Sequence, residues 1–289
     1  MIIKIDNLII FTKIIKYNME HRIYKILAFA SLLIIIVFAS LYDCFEAINL
    51  ASDYRLAIKV SPMIILMILT FTYMCIYRVT IYSSLLLMSL FLCSLGDIFI
   101  GLYDPSVAYI DRNKMVYFIV GGSCFLITRL LFALMFAIEP YKKFKIILYS
   151  TQRLILSHVI FMIPFTIFGI LNITRQSSFV TIALFLYMFF GFGIQLSYAF
   201  LRIGKLPDES IWASIFAFIG MVLFNLSDIL LFISMYTDWV PKYVTFISNN
   251  IYWVAIYLIS ISVVRSPHEY IEKGKAYLPI SFTTKTETF

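Results

Sequence analysis

Charge is what this chain has least of. Only 13% of its 289 residues are charged, about half of what a water-soluble domain carries, while 62% are hydrophobic. No polar stretch is long enough to form a separate soluble domain. Histidine is nearly absent: His21, His158 and His268 stand far apart with no HExxH, which leaves no basis for a histidine-built metal site. Four cysteines form no CxxC. Cys75, Cys93 and Cys124 lie in apolar runs and Cys44 ends one, so they read as small buried residues rather than a disulfide framework. Neither a metal nor an organic cofactor is expected. The net charge of +7 would suit a nucleic-acid partner in a polar chain; here orientation in a bilayer explains it better, and no nucleic-acid partner is expected.

What the chain does have is long apolar runs. Crossing a bilayer takes roughly 20 apolar residues, and about eight such runs occur, at 24–42, 59–76, 79–102, 116–138, 146–170, 179–201, 211–235 and 243–264. The expected fold is an all-α integral membrane bundle of about eight helices, whose two halves read as diverged four-helix repeats. The expected organisation is an N-terminal segment 1–23, a membrane domain 24–264 and a tail 265–289, with the first run retained as a helix rather than cleaved as a signal peptide. The tail 281–289 is polar and expected to be disordered. Short linkers carry turn signals at Asp104-Pro105, Glu139-Pro140, Gly204 with Pro207, and Pro241.

An even number of crossings puts both termini on one side. That side collects most of the lysines and arginines, among them Lys13, Lys16, Lys142, Lys143, Lys273 and Lys275, so the positive-inside rule places both termini in the cytoplasm. The sequon Asn172-Ile173-Thr174 falls in the loop after the fifth run, on the opposite face. Loop bias and sequon together make the endoplasmic reticulum the expected membrane. The oligomeric state leaves no mark on the sequence.

Two carboxylates break the apolar pattern. Asp97, in Leu95-Gly96-Asp97-Ile98-Phe99, and Asp228, in Leu226-Ser227-Asp228-Ile229-Leu230, occupy near-copies of one phrase. A charged aspartate at mid-membrane costs roughly 2.5–3.5 kcal/mol on insertion scales, so it is expected to face protein or water and to work there. Each sits about 17 or 18 residues into its run. At 1.5 Å rise per residue the two depths match, in the half away from the termini. Lys59, Gly121, Gly122, Ser123, Asn249, Asn250 and Tyr252 enter neighbouring runs from that same side, and Asn225 shares the helical face of Asp228. A polar pocket is the simplest common explanation. Helix-to-helix hydrogen bonding is an equally natural role for Asn225, Asn249 and Ser94, and headgroup snorkelling for Lys59. Arg129 lies deeper and calls for a carboxylate or carbonyl partner. His158 and Arg153 read as structural.

Lys59 with Pro62, Leu95-Gly96-Asp97, Gly121 or Gly122 with Phe125, Gly220, Leu223-Phe224, Ser227-Asp228, and Tyr252 with Ser262 occur in this order over roughly residues 50–264. In these the chain resembles the YhhN-like lysoplasmalogenase family of polytopic proteins. The resemblance implies a lysophospholipid substrate, a lysoplasmalogen, whose vinyl-ether bond is hydrolysed to a fatty aldehyde and a glycerophospho-base. It also implies that Asp97 and Asp228 are the essential, catalytic residues, with Lys59, Asn225, Asn250, Tyr252 and Arg129 as candidate substrate-binding groups. Three positions depart from the family's usual residues: Arg129 stands for His, Phe132 for Tyr and Ile256 for Gln. If those groups shape the substrate site, a shifted substrate range or loss of activity follows.

Vinyl-ether hydrolysis wants one carboxylic acid to protonate an alkene carbon and one carboxylate to steady the oxocarbenium ion and activate water. Two carboxylates in one shielded site are expected to share a single proton. A proton- or cation-coupled transporter is the first rival, since repeats with intramembrane carboxylates suit carriers too, although Pro62 and Pro164 do not occupy equivalent places. A catalytically silent lipid-binding protein is the second. The topology has a direct check. Epitopes at the two ends should both react with antibody once the plasma membrane alone is permeabilised, and reaction at one end only would refute an even number of crossings.

Overall fold

A computed structural model describes residues 22–42, 52–76, 79–102, 112–138, 147, 149–172, 186–205, 211–236 and 243–262. Most of the expected N-terminal segment 1–23, the whole tail 265–289, Cys44, the loop signals at 104–105, 139–140, 207 and 241, and the last two residues of the sequon lie outside them. Eight helices are described: α1 (Arg22–Tyr42), α2 (Ser52–Ile76), α3 (Ile81–Leu102), α4 (Arg112–Ala137), α5 (Thr151–Asn172), α6 (186–202), α7 (Ile211–Tyr236) and α8 (Tyr243–Ile261). Each coincides with one of the expected apolar runs. All but α5 and α6 are long and apolar enough over their described residues to cross a membrane, and the protein is a multi-pass membrane bundle. With no water in the bilayer core, a helix is the one open form that satisfies every backbone polar group internally, so apolar runs of this length have no other choice.

Outward faces carry large apolar side chains, as at Ile68, Phe71, Leu156 and Trp212, whereas the interior gathers Met63, Leu66, Leu90, Phe136, Phe224 and Trp253. Cys75 is exposed on the outer surface rather than buried as expected; Cys93 is buried and Cys124 is intermediate. The most extensive pairings are α3 with α4 and α7 with α8, which correspond under the internal repeat. In the second pair Gly220 allows the approach. A methyl group there would sit 2.8 Å from the Ala255 carbonyl oxygen of α8. α1 lies at the periphery, held by Tyr24 edge-on to Tyr73 of α2 and by the Tyr257 hydroxyl donating to the Ala28 carbonyl at 3.1 Å.

α6 is irregular. Its middle, Phe189–Gln195, opens into a π-helix, a form that appears mostly as short bulges and often beside functional sites. Beyond it the helix ends at Arg202, whose side chain is fully buried. One guanidinium nitrogen donates to the Met135, Phe136 and Ile138 carbonyls at 3.1, 3.4 and 3.3 Å, and the group lies 4.7 Å over the Tyr82 ring. The last carbonyls of a helix lack intrahelical partners and carry its negative dipole end, so a buried cation there meets both needs. Arg202 thus ties α6 to the end of α4. Replacement by leucine strands those carbonyls at roughly 1–3 kcal/mol per unsatisfied group. Arg202→Leu should lower the unfolding midpoint in detergent clearly, with Arg202→Lys intermediate, and an unchanged midpoint would refute the role.

Candidate functional site

Asp97 on α3 and Asp228 on α7 are 3% and 7% exposed, and both face one cavity of about 170 Å³ in the half of the bundle away from Arg202. Its lining mixes the polar Lys59, Ser123, Ser227, Ser248, Asn249, Tyr187 and Tyr252 with the apolar Phe118, Ile119, Leu231 and Phe232. Matched depths and inward-facing helix positions bring the two carboxylates to this one space, as the repeat suggested.

Each carboxylate has its own cation and its own tyrosine. Lys59 of α2 brings Nζ to 3.5 Å from Asp97 Oδ1, while the Tyr252 hydroxyl of α8 donates to Oδ2 at 3.0 Å. At Asp228 the Arg129 guanidinium of α4 forms the ion pair, and the Tyr187 hydroxyl of α6 donates to Oδ2 at 2.7 Å. If α2, α3 and α4 correspond to α6, α7 and α8, the two sets of donors come from corresponding helices with cation and hydroxyl exchanged. Each aspartate is thus compensated by a cation and a hydroxyl of its own.

Arg129 is the hub of the second set. It is fully buried, and besides Asp228 it donates to Gln195 Oε1 at 3.0 Å and Asn225 Oδ1 at 2.9 Å. Its guanidinium carbon lies 4.0 Å from the Phe224 ring centre and 5.0 Å from that of Tyr187. The π-helical stretch of α6 contributes to this nest. Tyr187 lies just before it and Gln195 closes it, and at Gly191 a side chain would press on Asn225 Oδ1 and the guanidinium. A buried charge without such partners would carry a penalty of several kcal/mol. Phe224 also stacks on Tyr252, with ring centres 5.4 Å apart and 26° between planes, so one aromatic ring touches both sets.

The candidate residues therefore divide. Asp97, Asp228, Lys59 and Tyr252 line the cavity. Arg129, which pairs with Asp228, and Asn225, which accepts from Arg129, sit behind its wall and do not line the space itself. Asn250 turns its amide back to the Phe246 carbonyl at 3.0 Å, and its neighbour Asn249 lines the cavity instead. Phe132 and Ile256, the other departures from the family's usual residues, are fully buried core and do not line the cavity. Ser94 donates to its own helix at Phe91 O, and His158 packs edge-on to Phe189. Sequence reasoning passed over Tyr187, Gln195 and Ser248. Of these only Gln195, a lone amide in the apolar run GFGIQL, carried a visible signal. Among the described residues no three His, Cys, Asp or Glu side chains gather as a metal site.

A family model described as the YhhN family matches residues 54–263, which span both aspartates and all of their partners. No curated protein and no solved structure matches the chain.

The geometry sets an order of stabilities. Arg129→Met leaves Asp228 buried without its cation and should cost about 3–5 kcal/mol, whereas the pair Arg129→Met with Asp228→Leu should recover most of that loss. Thermal melting of the three purified proteins in one detergent checks it. A double variant no more stable than the single one would contradict the pairing.

Proposed function

The chain belongs to the YhhN family, and from that premise we propose that it hydrolyses the vinyl-ether bond of lysoplasmalogens within the membrane. The observation that carries the proposal is the single cavity of about 170 Å³ in which Asp97 and Asp228 meet beneath an apolar wall. An endoplasmic-reticulum membrane with both termini in the cytoplasm completes the reading.

The two ion pairs support distinct roles for the aspartates. Arg129, fully buried with Asp228, holds it as the carboxylate, and the Lys59–Asp97 pair carries the mobile proton. Asp97, taking that proton, gives it to the alkene carbon one removed from the ether oxygen. The π pair becomes the new C–H bond and an oxocarbenium ion remains, facing the Asp228 carboxylate. Water adds to the cationic carbon and yields a proton to Asp228. The resulting hemiacetal then collapses: Asp228 returns its proton to the departing glycerol oxygen, and the hemiacetal hydroxyl passes its own to Asp97. The aldehyde is released with that proton back on the Lys59–Asp97 pair and Asp228 again a carboxylate. Tyr252 and Tyr187 hold the carboxylates in place throughout.

Asp97→Asn removes the acid and Asp228→Asn removes the base, and each should lower turnover by about 10²–10⁴-fold or more while the protein still inserts. Mass-spectrometric measurement of aldehyde from purified protein and an alkenyl lysophospholipid tests both, with the saturated alkyl lipid as the uncleaved control. Aldehyde release near the wild-type rate from either variant would refute the assignment. Transport of a proton or cation without cleavage, dependent on the same aspartates, would favour the carrier reading.

A further inference from the structure

The cavity is too small for a whole amphiphile. Pockets that enclose small organic ligands run to about 300–1,000 Å³, against about 170 Å³ here. A lipid whose reacting bond lies beside Asp97 and Asp228 must therefore leave most of itself outside. On α4, Ile119 and Ser123 are one turn apart, and each both lines the cavity and is exposed on the outer surface, Ile119 at 43%. The cavity thus breaches the side of the bundle. Between them in the chain sits Gly122, also in the lining, where an added methyl group would meet no atom within 4 Å. The other glycines of this half are filled against neighbours: Gly96 abuts the Phe125 ring and Gly121 abuts Ile100. Gly122 faces open space.

We propose that this breach is a lateral portal through which the hydrocarbon chain of a single-chain amphiphile passes from the cavity into the bilayer, and that Gly122 determines what can pass. The placement of the reacting bond rests on the hydrolase reading; the portal itself does not. The apolar wall at Ile119 and Leu231 continues the lipid-facing surface inward, so a chain lying there keeps apolar contact along its length. The polar end of the molecule then meets Lys59, Ser248 and Asn249. A bulky side chain at 122 fills the passage without disturbing a packed contact.

The probe is a saturated alkyl-ether lysophosphatidylcholine carrying a diazirine at mid-chain, which has no vinyl-ether bond to cleave. It is photolysed with the full-length protein in nanodiscs, and adducts are mapped by peptide mass spectrometry. Labelling within 118–126 that excess unlabelled lipid displaces is expected for wild type and for Gly122→Ala. In Gly122→Phe, and in Ile119→Trp as a second obstruction, the displaceable fraction should fall at least about tenfold. Labelling that excess lipid does not displace reports only the surrounding bilayer and overturns the portal, as does equal displaceable labelling in Gly122→Phe. The two proposals fail separately. Displaceable labelling without aldehyde from the alkenyl lipid sinks the hydrolase and keeps the portal; aldehyde release that Gly122→Phe leaves unchanged does the reverse.

Discussion

A buried guanidinium in a membrane bundle must be answered on every side, and much of this structure is arranged around answering Arg129. Asp228 supplies the opposite charge, Gln195 and Asn225 supply carbonyl oxygens, and the rings of Phe224 and Tyr187 cover its faces. These partners come from α6 and α7, so the position of one side chain on α4 constrains two other helices. The π-helical turn in α6 belongs to the same arrangement, because it begins just after Tyr187 and ends on Gln195, the two α6 residues that touch the guanidinium. The Lys59–Asp97 pair is simpler. It is slightly exposed at the lysine, and both of its members line the cavity.

The eight helices were legible because the bilayer imposes both a length and a composition, and a run such as 79–102 can meet them only as a helix. Asp97 and Asp228 were legible for the converse reason. A carboxylate in an apolar run is too expensive to be incidental, and depth along the helix already placed the two at one level. Their partners were harder to see. Arg129 lies further from its helix start than the pocket residues, and its long side chain makes up the difference, which a reckoning from backbone rise does not include. Tyr187 is one of 20 tyrosines beside 28 phenylalanines, so its hydroxyl carried no signal. Asn250 and Asn249 are adjacent, and one step around a helix separates a side chain in the cavity from one bonded to its own backbone. The π turn has no periodic pattern to reveal it.

Of the three departures from the family's usual residues, only Arg129 bears on the site, and it does so from behind. Phe132 packs edge-on against Phe224 at 6.0 Å, and Ile256 lies in the apolar core. Arginine in place of histidine turns a group that can lose its charge near neutral pH into one that cannot. Its side chain lies outside the cavity lining, so the surface open to a ligand stays as the two aspartates and Lys59 define it.

Arg129 and Asp228 also belong to opposite halves of the chain, and this bears on how the protein is made. Helices enter the membrane in order of synthesis, so α4 is delivered roughly a hundred residues before α7 emerges, and at about 5–20 residues per second the interval is roughly 5–20 s. Throughout that wait the guanidinium lacks the Asp228 carboxylate that answers it in the finished bundle. The insertion machinery, a lipid phosphate or trapped water must shelter it until the later helix arrives. The first half of this protein is therefore an intermediate that depends on its host membrane for company.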